Sequence, residues 1–206
     1  MTTLIIARHG NTFGKGDTPT RVGARTDLPL VEKGFLQGGA LGEALKQQGF
    51  IPDEVYVSTL QRTQQTAKEA LAAMNITRDL TVTPMLDEVD YGPDENQTEE
   101  TVIKRIGSQA IQDWDEHAIV PDGWIVDPEA MIQGWLDFAA QVQGQDKTIL
   151  VVTSNGTARF APHITGDFDA VKQRFTLKLS TGAYGILKDD EAVTWRMVDW
   201  NVRPKI

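Results

Sequence analysis

Leu4-Ile5-Ile6-Ala7-Arg8-His9-Gly10-Asn11-Thr12 sets a continuous apolar run directly against an Arg-His pair. An aliphatic run without polar alternation reads as a strand buried on both faces, here residues 3–8. Such strands build open α/β sheets, whose ligands bind beyond the C-terminal strand edge. Arg8 and His9 stand at that edge. A His is one of the few side chains that act as a nucleophile near neutral pH, and an adjacent Arg neutralises an anion. Gly10 permits a sharp turn and leaves backbone N–H groups free to face a phosphate. Alternatively, the pair does no more than meet surface carboxylates.

Outward from this strand, His9 to about Leu30 is rich in Gly, Thr, Pro and Asp and has no period, the mark of a functional or disordered loop. Leu36, Ala40, Leu41, Ala44 and Leu45 recur at helical spacing up to Gly49. Val55-Tyr56-Val57 is a second strand, and Ser58 or Thr59 would cap a helix with inner face Leu60, Thr63, Ala67, Ala70, Leu71 and Met74. A strand at 80–83 leads to an acidic segment, Asp87 to Glu100. Helical patterns follow at 98–113 and 128–143, then a central strand at 148–153, with a short helix beginning near Thr157. The final third alternates as strands at Arg174–Leu179, Ala183–Leu187 and Val193–Val198, with a turn at Lys188-Asp189-Asp190-Glu191. Early βα alternation followed by antiparallel strands predicts a single α/β domain, a three-layer α/β/α sandwich around a mixed, mostly parallel sheet.

Forty per cent apolar residues, with five Trp and seven Phe among 206 residues, predict a packed core. A formal charge of −9 argues against nucleic acid or an anionic membrane as partner, so a phosphate site would need a local cluster of Arg. The absence of Cys removes disulfides, thiolate metal sites and a thiol nucleophile. No signal peptide or membrane-spanning run is evident, which leads to the expectation of a cytoplasmic protein.

Three strand ends offer groups that could meet: Arg8 and His9; Arg62 in the first turn of a helix; and Ser154, Asn155 and Gly156 at another helix start. Glu88 follows the third strand. Two Arg, a His, helix N-termini and a carboxylate suit phosphoryl transfer, with His attacking, Arg holding the equatorial oxygens and the acid protonating the leaving group.

At this point the chain resembles the histidine phosphatase superfamily, which includes the cofactor-dependent phosphoglycerate mutases. Arg8-His9-Gly10-Asn11-Thr12 is similar to its signature, and Gly23, Asp27, Pro29-Leu30, Gly34 and Gln37 follow in the family's order. Ser58-x-Leu60-x-Arg62-x-x-Gln65-Thr66-Ala67, Leu86-x-Glu88-x-x-Tyr91-Gly92, Ile149 to Arg159 and Trp200-Asn201 match later blocks. The resemblance implies one domain over 1–206 with a cap-like region around 84–130. It implies His9 as phosphorylated nucleophile, Arg8 and Arg62 on the phosphoryl oxygens, and Glu88 as acid and base, with neither cofactor nor metal. The substrate would be a small phosphorylated metabolite, touched by Asn11, Thr12, Arg21, Asn155 and Gly156; oligomeric state is not legible. For His9 to be neutral at its attacking nitrogen, its other N–H should be held by a backbone carbonyl. Specificity would sit at 13–26 and 90–130.

One departure matters. The family's V-x-H-G-G-T reads Val152-Thr153-Ser154-Asn155-Gly156-Thr157, so Ser154 stands where a second His is usual. Losing a transition-state donor costs about 10²–10³ in rate. Two functions follow: a phosphomonoester hydrolase in which Asn155, Arg159 or His163 partly compensates, or a phosphate-binding pseudoenzyme. A mutase is disfavoured, because the chain lacks long insertions and the seven carboxylates between Asp87 and Glu100 should repel a doubly phosphorylated acid.

Gly10 to Gly16 has the wrong glycine spacing for a P-loop. His9, His117 and His163 lack metal-ligand spacing, and His117 reads as an exposed helix end. Trp114, Trp124 and Trp135 suit core packing or a cap lining.

Overall fold

The computed structural model describes residues 1–190 and 194–206. Among these, six strands form one sheet: β1 (Thr3–Arg8), β2 (Glu54–Val57), β3 (Leu80–Val82), β4 (Thr148–Thr153), β5 (Tyr184–Asp189) and β6 (Trp195–Val202), in the order β3-β2-β4-β1-β5-β6. β1, β4, β2 and β3 pair in parallel, while β5 and β6 join antiparallel at one side. The result is the expected α/β/α sandwich around a mixed, mostly parallel sheet.

Strand side chains alternate between faces, and β1 feeds both cores. Ile5 and Ala7 pack with Leu41 and Leu45 of helix α1 (Glu32–Gln47) and with Ala67 and Ala70 of α2 (Gln61–Met74). Leu4 and Ile6 pack on the other side with Trp114 of α3 (Glu99–His117) and with Trp135 and Phe138 of α4 (Pro128–Val142). Each fully buried aliphatic side chain contributes roughly 1.5–3 kcal/mol. Two short helices, α5 (Asn155–Ala158) and α6 (Phe168–Arg174), complete that second layer. α1 and α2 touch through glycine: a β-carbon on Gly42 would stand 2.2 Å from the Ala70 carbonyl.

The fold corrects several sequence expectations. Leu36 is exposed, because the buried stripe of α1 runs through Gly34, Gln37, Gly38, Leu41, Gly42 and Leu45. Neither Ser58 nor Thr59 caps α2, whose N-cap is Leu60; Ser58 Oγ accepts from Leu60 N at 3.1 Å, and Thr59 is bound to Asp87. The helix expected near Thr157 begins two residues earlier, and the one expected at 98–113 continues to His117 across a break at Gly107 (φ +81°). Arg174–Leu179 is not a strand. Arg174 ends α6, which Asp167 caps by accepting from Ala170 N at 3.0 Å. The backbone beyond it is pinned group by group to side chains: Asn155 Oδ1 accepts from Leu179 N, Arg8 donates to Leu179 O and Trp200 donates to Leu177 O. Lys188 and Asp189 belong to β5 instead of a turn, and β6 extends to Val202. Glu191 and Val193 lie outside the described residues.

Candidate active site

Register brings the strand ends together. Arg8 is opposite Thr153 across β1 and β4, so His9 and Ser154 leave the sheet at the same edge, and the His9 N–H donates to Thr153 O at 3.0 Å. Thr153 Oγ1 donates to Leu86 O at 2.6 Å and Thr157 Oγ1 donates to Asp87 O, which ties the segment carrying Glu88 over the end of β4. Arg8, His9, Glu88, Asn11, Thr12, Arg21 and Asn155 line one cavity of about 720 Å³. Arg62, Ser154 and Gly156 are buried and do not line it.

His9 is buried, and its Nδ1 lies 2.7 Å from the Gly10 carbonyl. Nδ1 therefore carries the proton and Nε2 keeps its lone pair. Burial, and then the positive charges of Arg8 and Arg62, hold the imidazole well below its ordinary pKa of 6.5. Two backbone donors that the sequence left for an anion are already used: Gly10 N donates to Thr66 Oγ1 at 3.0 Å, and Asn11 N donates to Gln37 Oε1 at 2.7 Å. Glycine is required at position 10 because a β-carbon would stand 2.4 Å from Gly34 O. Gln37 also reaches Thr181 O at 3.1 Å, and Thr181 donates to Asn11 Oδ1 at 2.6 Å, which fixes the loop after β1.

Arg8 and Arg62 are held by backbone carbonyls, with no carboxylate in ion-pair contact among the described residues. Arg8 Nη1 donates to Leu179 O at 2.9 Å. Arg62 donates to Thr26 O at 2.8 Å and to Gly23 O at 3.2 Å. Burial lowers the pKa of both, opposed first by the Glu88 charge. Arg21 bonds Glu99 at 2.6 Å and lies over the Tyr91 and Trp124 rings at 5.2 and 5.0 Å. The Nε atoms of Arg8, Arg62 and Arg21 and the Oγ of Ser154 are buried without hydrogen-bond partners among the described residues. Two of these orphaned donors belong to residues that line the cavity, Arg8 and Arg21, and a buried donor left unpaired costs about 1–3 kcal/mol, which an anion bound there would relieve.

Glu88 is buried with Oε1 accepting from Val89 N at 2.9 Å and Oε2 from Gly156 N at 3.2 Å. Burial raises its pKa above 4.5, against the Val89 N–H, Arg62, the Gly156 N–H and Arg8. The Gly156 N–H thus serves the carboxylate and not the cavity. Asn155 lines the cavity while its Oδ1 accepts from Leu179 N at 2.8 Å. Arg159 and His163 do not line it: Arg159 donates to Asp115 O at 2.6 Å, and His163 stacks on Phe168 at 3.7 Å. Tyr91, Glu99, Lys178 and Thr181 also line the cavity. Tyr91 and Glu99 fall within 90–130, where specificity is expected, and Tyr91 also within the Leu86–Gly92 block, whereas Lys178 and Thr181 carry no sequence signal. Burial and then the Glu88 charge push the Tyr91 phenol up, so it stays protonated. Among the described residues, no group of three His, Asp or Glu side chains is placed to hold a metal ion, and no helix is long and apolar enough to cross a membrane.

Comparison with known proteins identifies the family and the fold. The model of the histidine phosphatase superfamily (branch 1) matches residues 4–203. A 2,3-bisphosphoglycerate-dependent phosphoglycerate mutase from Bartonella henselae is 34% identical over 113 residues, 54% of each chain. The match spans about half the length of the curated relatives it resembles. A mycobacterial glucosyl-3-phosphoglycerate phosphatase superposes with TM-score 0.78 at 17% identity, covering 97% of this chain and 98% of that one. The alpha-ribazole phosphatase from Shigella flexneri gives 0.73 at 20% identity over 98% and 97%. At these identities the structural likeness establishes the fold.

Proposed function

The chain belongs to the histidine phosphatase superfamily (branch 1), and from that membership we propose that it is a metal-independent phosphomonoester hydrolase acting on a small phosphorylated metabolite. One observation carries this reading: His9, with Nδ1 tied to the Gly10 carbonyl and its pKa held low, lines a cavity with Arg8 and a buried, protonatable Glu88. Nε2 of His9 attacks phosphorus while Glu88 gives its proton to the departing alkoxide. The P–O bond breaks and an N–P bond forms. Glu88, now ionised, takes a proton from water; the hydroxide attacks phosphorus, releases phosphate and restores both groups. Arg8 and Arg62 hold the equatorial oxygens as planar forks. Arg21, Asn11, Thr12 and Asn155 position the ester, and Ser154 offers a neutral O–H where the family carries a cationic imidazole. Gly156 acts on the substrate only through Glu88. Residues 84–130 form the cap over this site within one domain, 1–206. Neither a cofactor nor a metal takes part, and the acidic chain works in the cytoplasm on small molecules and not on nucleic acid or membranes.

Rapid-quench labelling with a ³²P-phosphomonoester tests the proposal. Acid-labile, base-stable phosphohistidine that vanishes in His9→Ala is expected. Finding neither phosphohistidine nor released phosphate across a panel of esters overturns it. In that case the orphaned Ser154 hydroxyl favours a second reading, a phosphate-binding pseudoenzyme, which inorganic phosphate would stabilise in a thermal melt.

A further inference from the structure

Beside the His9 cavity lies a second one of about 580 Å³, and the two share Asn155 and Lys178 in their walls. Arg159 lines the second. Its side chain is 7% exposed, laid over the Trp114 ring at 4.8 Å and the Phe160 ring at 5.7 Å. Its attachments are the Asp115 carbonyl at 2.6 Å and a 4.0 Å approach to the Asp115 carboxylate, which is 68% exposed and screened by water. The guanidinium is thus desolvated, oriented by aromatic faces and only weakly neutralised. Lys172 and Lys178 add two cations to the cavity, against Asp115 and Glu116. The lining therefore carries three cations against two acids in a chain of formal charge −9, a local excess that favours an anion.

Arg159 is tied back to the catalytic end. Its N–H donates to the carbonyl of Asn155 at 3.2 Å, one helical turn away, an axial offset of roughly 6 Å. Phe175 and Leu177 supply apolar wall in the same cavity. The two cavities thus meet at Asn155 and Lys178, with a buried guanidinium in the second.

We propose that this second cavity is a subsite for an anionic group, a carboxylate or a second phosphate, on the leaving-group side of the substrate, with Arg159 as its anchor and Lys172 at its edge. The proposal rests on the phosphomonoester reading above and narrows its substrate class to esters that carry a second negative charge, met in a cavity that no residue of the acidic segment 87–100 lines.

Glycerol 3-phosphate and 3-phosphoglycerate share a carbon skeleton and differ by a hydroxymethyl group against a carboxylate; 1,3-propanediol bisphosphate carries a second phosphate instead. The wild-type protein should favour at least one of the two anions over glycerol 3-phosphate by about 10-fold in kcat/KM, the size expected of one charged hydrogen bond. Arg159→Gln should reduce that ratio about 10-fold and Lys172→Met about 3-fold, while Arg159→Lys should restore part of it. A gain from either anion supports the subsite, and the larger gain names the group. No gain from either, or a ratio unchanged in both variants, overturns it. Should Arg159→Gln fail to fold by circular dichroism, the exposed Lys172 still decides. Calorimetric binding of the three esters separates this inference from the hydrolase reading. Tight, Arg159-dependent binding of an anion without turnover refutes hydrolysis and keeps the subsite. Equal hydrolysis of all three keeps the hydrolase and removes the subsite.

Discussion

The N–H of Gly156 donates to Glu88 at 3.2 Å, and a β-carbon at position 156 would stand 2.2 Å from the other carboxylate oxygen. Glycine there lets a buried carboxylate lie against the backbone and still receive a hydrogen bond. Gly156→Ala is expected to push Glu88 out of this niche, and a misplacement near 1 Å costs about 10²-fold in rate. The loss should be largest for an alkyl ester such as glycerol 3-phosphate, whose leaving oxygen needs a proton, and smaller for p-nitrophenyl phosphate. Equal losses on both would mean that the substitution acts elsewhere.

Arg62 spans two carbonyls of the loop after β1, Thr26 and Gly23, with separate nitrogens of one planar group. Lysine keeps the charge but has a single nitrogen on a flexible stem. Arg62→Lys should therefore lower kcat/KM by about 10²–10³, the range for loss of one well-placed transition-state donor. Steady-state kinetics alongside a thermal melt checks this; a loss below tenfold in a folded variant would remove Arg62 from the clamp.

Much of this was legible in the sequence, for a physical reason. The parallel strands β1 and β4 are buried on both faces, so they read as apolar runs, while β2 fully buries only Val55 and Val57; the C-terminal ends of the three carry Arg8, His9, Ser58 and Ser154 to one edge. What stayed hidden depends on contacts far apart in the chain. Leu177 and Leu179 alternate as a strand would, yet their backbone partners are Trp200, Asn155 and Arg8, which no local pattern encodes. The N–H groups of Gly10 and Asn11 looked free because Thr66 and Gln37 arrive from α2 and α1. Leu36 has the spacing of a buried residue, but the facing stripe is set by where glycines allow α2 to approach.

Asp94 links Arg105 to Trp124 beside Arg21. It is 1% exposed, accepts from Arg105 Nε at 2.6 Å and accepts from Trp124 Nε1 at 2.7 Å. Trp124 in turn lies under Arg21. Burial pushes the carboxyl up, but the Arg105 and Trp124 hydrogen bonds outweigh it and the net shift is below 3.8. A carboxylate lowered on folding contributes stability that is present above its unfolded pKa and lost as pH falls through the folded one. Asp94→Asn should cost about 1–3 kcal/mol near neutral pH, from weakened charged hydrogen bonds. Thermal melts should show that the gap between variant and wild type narrows as pH drops below 3.8; a gap independent of pH would mean that Asp94 acts by packing alone.

Activity should depend on pH through two groups displaced toward one another. His9 must be unprotonated to attack, and it sits well below 6.5 because of burial, Arg8 and Arg62. Glu88 must be protonated to assist departure, and burial lifts it above 4.5. kcat/KM therefore rises as His9 loses its proton on the acid side, and falls on the alkaline side as Glu88 loses its own. With glycerol 3-phosphate the alkaline limb should be present in the wild type and absent from Glu88→Gln at reduced rate. With p-nitrophenyl phosphate, whose leaving group departs without a proton, that limb should be weak in both. Stability carries the same signs. The unfolded chain binds a proton at His9 more readily than the folded one, so this group destabilises the fold as pH falls below 6.5. Glu88 binds its proton more readily when folded, so its penalty grows as pH rises above 4.5. His9→Gln should accordingly gain stability relative to wild type as the medium is acidified below 6.5, and a difference in melting temperature that stays flat with pH would contradict a His9 held neutral by its surroundings.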